Sequence, residues 1–248
     1  MLKRLFFLLI AVATTVSVQA QTIDEILANY FENTGGLENW ENLKTTKVSG
    51  KMHMGGMDFP GTIIAAKPNK QYMTFSVQGK ELVQAYDGET AWTINPFMGA
   101  TEAQKMPEAE AKEFTEEEFD SPFINYKDKG HTVELVGTAE VEGAETYEVK
   151  LTKKNGKVEY HYFETENAVP IMTKKVIESG QMKGQEAETY FSDYQEVDGM
   201  YFPFFIETKI AGQSFNKITV VSVELNPEVD EAMFVYPKKE TAPAVDDK

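Results

Sequence analysis

DGMYFPFFIETK, residues 198–209, sets Met200, Tyr201, Phe202, Phe204 and Phe205 within eight positions of an otherwise polar, acidic chain. Successive side chains of an extended strand face opposite ways, so Phe202, Phe204 and Ile206 share one side while Phe205, Glu207 and Lys209 share the other. One face is therefore apolar along its length and the other turns polar, the pattern of a sheet whose inside meets helices or a ligand. Met52, Met54, Met57, Met73, Met98, Met172, Met182 and Met200 add unbranched side chains that can repack around ligands of variable shape. The plainer alternative is that these aromatics and methionines are ordinary core.

The flanking sequence supplies more strands of the same kind. Before them, Thr22 and Glu25 form a T-x-x-E capping box, and Ile23, Ile26, Leu27, Tyr30 and Phe31 recur at helical spacing until Gly35-Gly36 stops the helix. A second short turn is expected in LENWENLK, with Leu37, Trp40 and Leu43 on one side. From Val48 the period changes to two: Met52 and Met54 alternate with Lys51 and His53, and Met73, Phe75 and Val77 with Tyr72, Thr74 and Ser76. HMGGMD, KPNK, QGKE and YDGET provide the tight connections. Between Asn95 and about Lys129 the pattern breaks, and PEAEAKEFTEEEF reads as a helix with acids in its first turns. A second meander runs from HTVELVG to SFNKITVVSVEL, with KNGK as its strongest hairpin signal. The sum is one α+β domain over residues 21–236, mostly antiparallel sheet of about ten or eleven strands.

The ends and composition narrow the setting. Lys3 and Arg4 precede the apolar stretch LFFLLIAVATTVSV, and VQA offers a cleavage site, so residues 1–20 read as a signal peptide and the mature protein as exported and periplasmic. No later segment is long and apolar enough to span a membrane, and without cysteine there are no disulfides, thiolate sites or lipidation of the mature start. Removing Lys3 and Arg4 takes the formal charge from −16 to −18, which disfavours nucleic acid. PKKETAPAVDDK ends the chain, and residues 237–248 read as a loose tail.

No catalytic chemistry stands out. His53, His131 and His161 lie on separate strands without H-x-x-x-H or H-E-x-x-H spacing; they read as exposed or half-exposed strand residues, His161 pointing to water. GQSFN lacks the second glycine of a nucleophile elbow, and TGGLEN follows a helix instead of opening one as a phosphate loop does. TEEEFD reads as the solvated face of a helix, since it lacks the alternating ligands and glycine of a calcium loop. No catalytic residue, metal or cofactor is expected.

Two segments carry a family resemblance. AAKPNKQYMTF (65–75) and ELVQAYDGETAWTINPF (81–97) give a basic residue, Pro-Asn, an alternating strand, then D-G-x-T-x-W-x-x-N-P-F. The order and spacing resemble the LolA-type carriers of the LolA/LolB-like superfamily, periplasmic proteins of outer-membrane lipoprotein sorting, and MFVYPKKETAPAVDDK is similar to that family's closing stretch. The resemblance implies an unclosed, strongly curved antiparallel half-barrel, with an N-terminal helix and a mid-chain helical lid over its concave face. It further implies a monomeric carrier or chaperone for the acyl chains of lipoproteins or lipids, working with inner- and outer-membrane lipoprotein-transfer proteins. Candidate acyl-binding residues are Met52, Met73, Phe75, Trp92, Ile94, Phe97, Met98, Phe114, Phe202 and Phe204. Where the family has an arginine that helps close the lid, this chain has Lys67, a point charge without the planar fork, so closure must be held differently. The competing readings are an interaction scaffold on the same fold with a filled core and no lipid and, third, an enzyme with polar groups clustered in the concave face.

Overall fold

The computed structural model describes residues 21–116, 118–178 and 180–237, without the side chains of residues 109 and 113–115. The expected signal peptide, and all of the expected tail beyond Pro237, lie outside the described residues. Helix α1 (Ile23–Asn33) starts at the capping box: Glu25 N–H donates to Thr22 Oγ1 at 3.3 Å and Thr22 N–H to Glu25 Oε2 at 2.8 Å. It ends through Gly35, whose φ is +113°. A Cβ there would lie 2.5 Å from Gly199 O and 2.8 Å from Met200 Cα, so only glycine lets the chain pass this close to the sheet. Helix α2 (Leu37–Asn42) follows.

A first meander comprises β1 (Thr45–Met54), β2 (Met57–Ala66), β3 (Lys70–Val77), β4 (Lys80–Tyr86), β5 (Ala91–Asn95) and β6 (Ala100–Lys105). A second comprises β7 (Thr132–Val141), β8 (Ala144–Thr152), β9 (Val158–Glu164), β10 (Pro170–Val176), β11 (Glu186–Val197), β12 (Met200–Ile210) and β13 (Gln213–Leu225). β13 pairs antiparallel with β1 and joins the two into one sheet of order β6-β5-β4-β3-β2-β1-β13-β12-β11-β10-β9-β8-β7. The sheet is an open half-barrel of 13 strands, more than the ten or eleven expected. Part of the excess is β6. Asn95 Oδ1 caps a single turn, Pro96–Met98, accepting from Phe97 N–H at 3.1 Å, and the chain then returns as a strand before any helix. ATEAQK is a polar edge strand, with little apolar alternation to announce it.

Strands β6 and β7 follow one another in sequence but form opposite edges of the sheet. Their connection, residues 106–131, must therefore cross the hollow. It carries helix α3 (Glu108–Thr115) and then turns that bury Phe123 and Ile124. Together with Ile26, Leu27, Tyr30 and Phe31 of α1, these two pack on Val133, Val149, Leu151 and Phe163, closing the main core on β7–β9.

Residues directly opposite in an antiparallel pair share a face. The face under α1 is the inner one. The outer face of β12, β13 and β1 is polar, with Lys47–Glu224 at 2.7 Å and Lys217–Glu207 at 3.4 Å across neighbouring strands. Farther along, the outer face of β2–β5 is covered by the segment after β13. There Phe234 is fully buried near Ile64 and Ala66, and Tyr236 packs beside Val83, Ala85 and Trp92.

Two of the three histidines depart from expectation. His161 is 8% exposed on the inner face, with its ring 4.8 Å from that of Phe123, because the connection folds over β9. His131 is also buried, its Nδ1 accepting from Lys154 N–H at 3.2 Å. His53 is exposed, with Asp58 at 2.9 Å.

Candidate functional site

The register extends one apolar row across the centre of the inner face. Ile218 lies opposite Met52 and Ile206, Ile63 opposite Met73, and Phe75 opposite Leu82 and Gly61. Gly61 is required here: a Cβ would sit 2.5 Å from Phe75 Cδ1, so the aromatic ring occupies the space over the glycine. Phe202 packs against Trp40 of α2, ring centroids 5.6 Å apart, which fixes this side of β12 as inner, and alternation puts Phe204 beside it. Met52, Met73, Phe75, Phe202 and Phe204 thus share one face, and each is only half-buried. Ile206, placed beside Phe202 and Phe204 by alternation, and Ile63 and Ile218, which were not singled out in the sequence, complete the row; nothing local linked their strands to one another.

Other candidates go elsewhere. Trp92 and Ile94 lie on the outer face, because Trp92 pairs with Ala85, which pairs with Tyr72, which pairs with Ile64. Trp92 is 4% exposed and its indole N–H donates to Phe234 O at 2.8 Å, so it anchors the C-terminal segment instead of lining the hollow. Alternation had grouped Trp92 and Ile94 correctly but could not say which side was concave. Phe97 and Met98 protrude at the β5–β6 turn, Met98 at 83% exposure, with Lys80 5.9 Å from the Phe97 ring centre. The Phe114 side chain lies outside the described residues.

Lys67 contacts the connection directly. Its ammonium pairs with Asp120 at 3.0 Å, donates to Glu41 O at 2.7 Å and lies 5.9 Å from the Phe119 ring centre. The neighbouring acids are also paired: Glu118 with Lys129 of the connection itself at 3.0 Å, and Glu116 with Lys157 of the β8–β9 turn. The TEEEFD stretch is therefore no solvated helix face. Helix α3 ends at Thr115, and Glu116, Glu118 and Asp120 each pair with a lysine from a different part of the fold.

Two apolar clefts open between helices, connection and sheet. One of about 180 Å³ is bounded by Tyr30, Thr34, Trp40, Phe191, Tyr194 and Phe202. Another of about 300 Å³ lies between Trp40, Phe119, Phe123, His161, Thr173 and Phe191. Burial pushes the Tyr30 phenol up to about 12 against a smaller opposing hydrogen bond with Ser121, and burial also raises Tyr194, so both stay neutral. Tyr194 Oη donates to Pro170 O at 2.6 Å. Toward the hairpin end the same face becomes charged. Burial alone would raise the Glu159 carboxyl, but hydrogen bonds from His161 and Lys153 together with their charges hold it at about 2. Among the described residues no cluster of three or more His, Asp or Glu has metal-binding geometry, and no helix is long and apolar enough to cross a membrane.

An open antiparallel half-barrel with helices and a crossing connection in its hollow defines a class of fold, and solved structures share it. A LolA superfamily protein from Nitrosomonas europaea matches with TM-score 0.56 at 10% identity, over 87% of this chain and 98% of its own. A domain from Vibrio parahaemolyticus that carries an outer membrane lipoprotein-sorting designation matches at 0.56 and 9%, over 85% and 94%. A DUF1329 family protein from Desulfovibrio piger matches at 0.55 and 13%, over 85% and 97%. The chain has the LolA-like fold. No protein-family model matches it, and no curated protein does.

Proposed function

We propose that this chain is a periplasmic carrier that holds acyl chains of lipoproteins or lipids against the centre of the inner face, without catalysing a reaction. One observation carries the reading: Met52, Ile63, Met73, Phe75, Phe204, Ile206 and Ile218 share one face inside the curve of the sheet and are only half-buried, although Phe59 opposite Met52 and Val220 opposite Gly50 are buried among them. A filled-core scaffold would bury this row as tightly as Phe163 and Leu151 are buried under α1. Each CH₂ moved from water into such a trough contributes about 0.8 kcal/mol, so a long chain binds without a covalent step. The neighbours' lipoprotein-sorting designation agrees with this reading. The ion pairs of Lys67 and Lys157 to the connection would hold it across the loaded trough. Pairs of this exposure are worth no more than about 1 kcal/mol each, weak enough to open for exchange.

The test is native mass spectrometry, with solvent extraction, of the mature protein purified from the cell that makes it. A recurring added mass that extracts as lipid, or co-purifying lipoprotein, supports carriage. A clean apo mass together with no uptake of a fluorescent fatty acid overturns it.

A further inference from the structure

The inner face of β9 and β10 changes character along its length. Phe163 and His161 on β9, with Thr173 beside His161 on β10, lie at the apolar end, next to the cleft of about 300 Å³ under Phe119 and Phe123. One step nearer the hairpin ends, Glu159 on β9 faces Lys175 on β10. This pair forms the floor of a second cavity of about 300 Å³, walled by Lys153, Lys157 and Glu178 and roofed by Glu116 of the crossing connection. Alternation along two adjacent strands puts the charged compartment on the same face as the apolar one, with His161 between them.

The charges in this compartment are balanced in number but unevenly paired. Lys153 pairs with Glu159 at 2.7 Å, while Lys157 is shared between Glu116 and Glu178, the latter at 2.9 Å. Lys175 has no carboxylate partner among the described residues. The site therefore offers one uncommitted cation beside two carboxylates that share a single lysine. A group carrying a phosphate and an ammonium joined by a two-carbon spacer complements both halves, the phosphate taking Lys175 and the ammonium taking Glu178. A purely anionic head would satisfy only the lysine, in the field of a chain with formal charge −16.

We infer that the trough takes a zwitterionic phospholipid-type amphiphile, its phosphate-ammonium head in the Lys175–Glu178 compartment and its acyl chain running past His161 into the apolar cleft. The inference rests on the carrier reading and names its ligand class.

The probes are three amphiphiles with the same sixteen-carbon chain: lysophosphatidylethanolamine, lysophosphatidylglycerol and neutral monoacylglycerol. Titrated into the delipidated full-length mature chain, the ethanolamine head should bind about tenfold more tightly than either other head, a preference of the size one well-placed ionic contact gives. Lys175→Met should weaken both phospholipids and leave monoacylglycerol unchanged, whereas Glu178→Gln should weaken only the ethanolamine compound. Both positions are surface-facing, and the unchanged monoacylglycerol affinity reports an intact trough. Equal affinity for all three heads, or two variants that bind like the parent, overturns the headgroup site while leaving acyl carriage standing. Uptake of none of the three overturns carriage itself, and the headgroup site with it.

Discussion

Two stretches of one inner face treat similar side chains differently. Under α1, Val149, Leu151 and Phe163 are fully buried and the Phe163 ring meets Tyr30 and Phe123 edge-on at 5.4 and 5.5 Å. A few strands away Met73, Phe75, Phe204 and Ile218 point the same way and stay half-buried. Burial under α1 is what a close-packed core requires. Incomplete burial in the concave centre forgoes stabilisation that a folded chain would otherwise take, which is physically sensible if another molecule supplies the missing contacts.

The largest effect should come from cutting the core side of this comparison. Phe163→Ala is expected to cost about 3–5 kcal/mol in urea unfolding, while Phe204→Ala costs about 1 kcal/mol and shows its effect in acyl uptake, lowered at least about tenfold. Equal destabilisation by the two would mean that the centre is core after all. Next in size is the charged end. The folded Glu159 carboxyl sits at about 2 against an ordinary 4.5, so its contribution is present above pH 4.5 and lost as the pH falls toward 2. Glu159→Gln should flatten stability against pH across that window by roughly 2–3 kcal/mol, measured by chemical unfolding at stepped pH. On the outer face, Trp92→Phe removes the donor to Phe234 O and should cost about 1–2 kcal/mol with acyl uptake unchanged. A drop in uptake would return Trp92 to the ligand wall. Smallest of all, Lys67→Met should change stability by less than about 1 kcal/mol but speed acyl exchange in stopped-flow fluorescence, since it releases Asp120.

The sequence carried the local structure well wherever a signal was local. The capping box at Thr22 and Glu25 and the Asp87-Gly88 turn follow from side chains within a few positions. What it could not carry was the relation between distant pieces. Trp92 and Phe204 each sit on an apolar strand face, but only the joining of β13 to β1 and the path of the C-terminal segment decide that they face opposite ways. His161 is buried by Phe123, a residue in a turn-rich stretch with no periodicity to mark it as core. Lys175 and Glu178 form a compartment only because Glu116 arrives from the crossing connection. The candidate site was legible as a set of side chains and illegible as a place.

Photo-crosslinking measures that place most directly. A palmitate bearing a diazirine near its methyl end, bound to the mature chain and activated, should label Met52, Met73, Phe75, Phe204 or their inner-face neighbours on peptide mapping. Saturable labels confined to that row are the expected result. Labels on the outer face, at Trp92, Tyr160 or Val221, or only unsaturable scattered labelling, would contradict an acyl-binding trough.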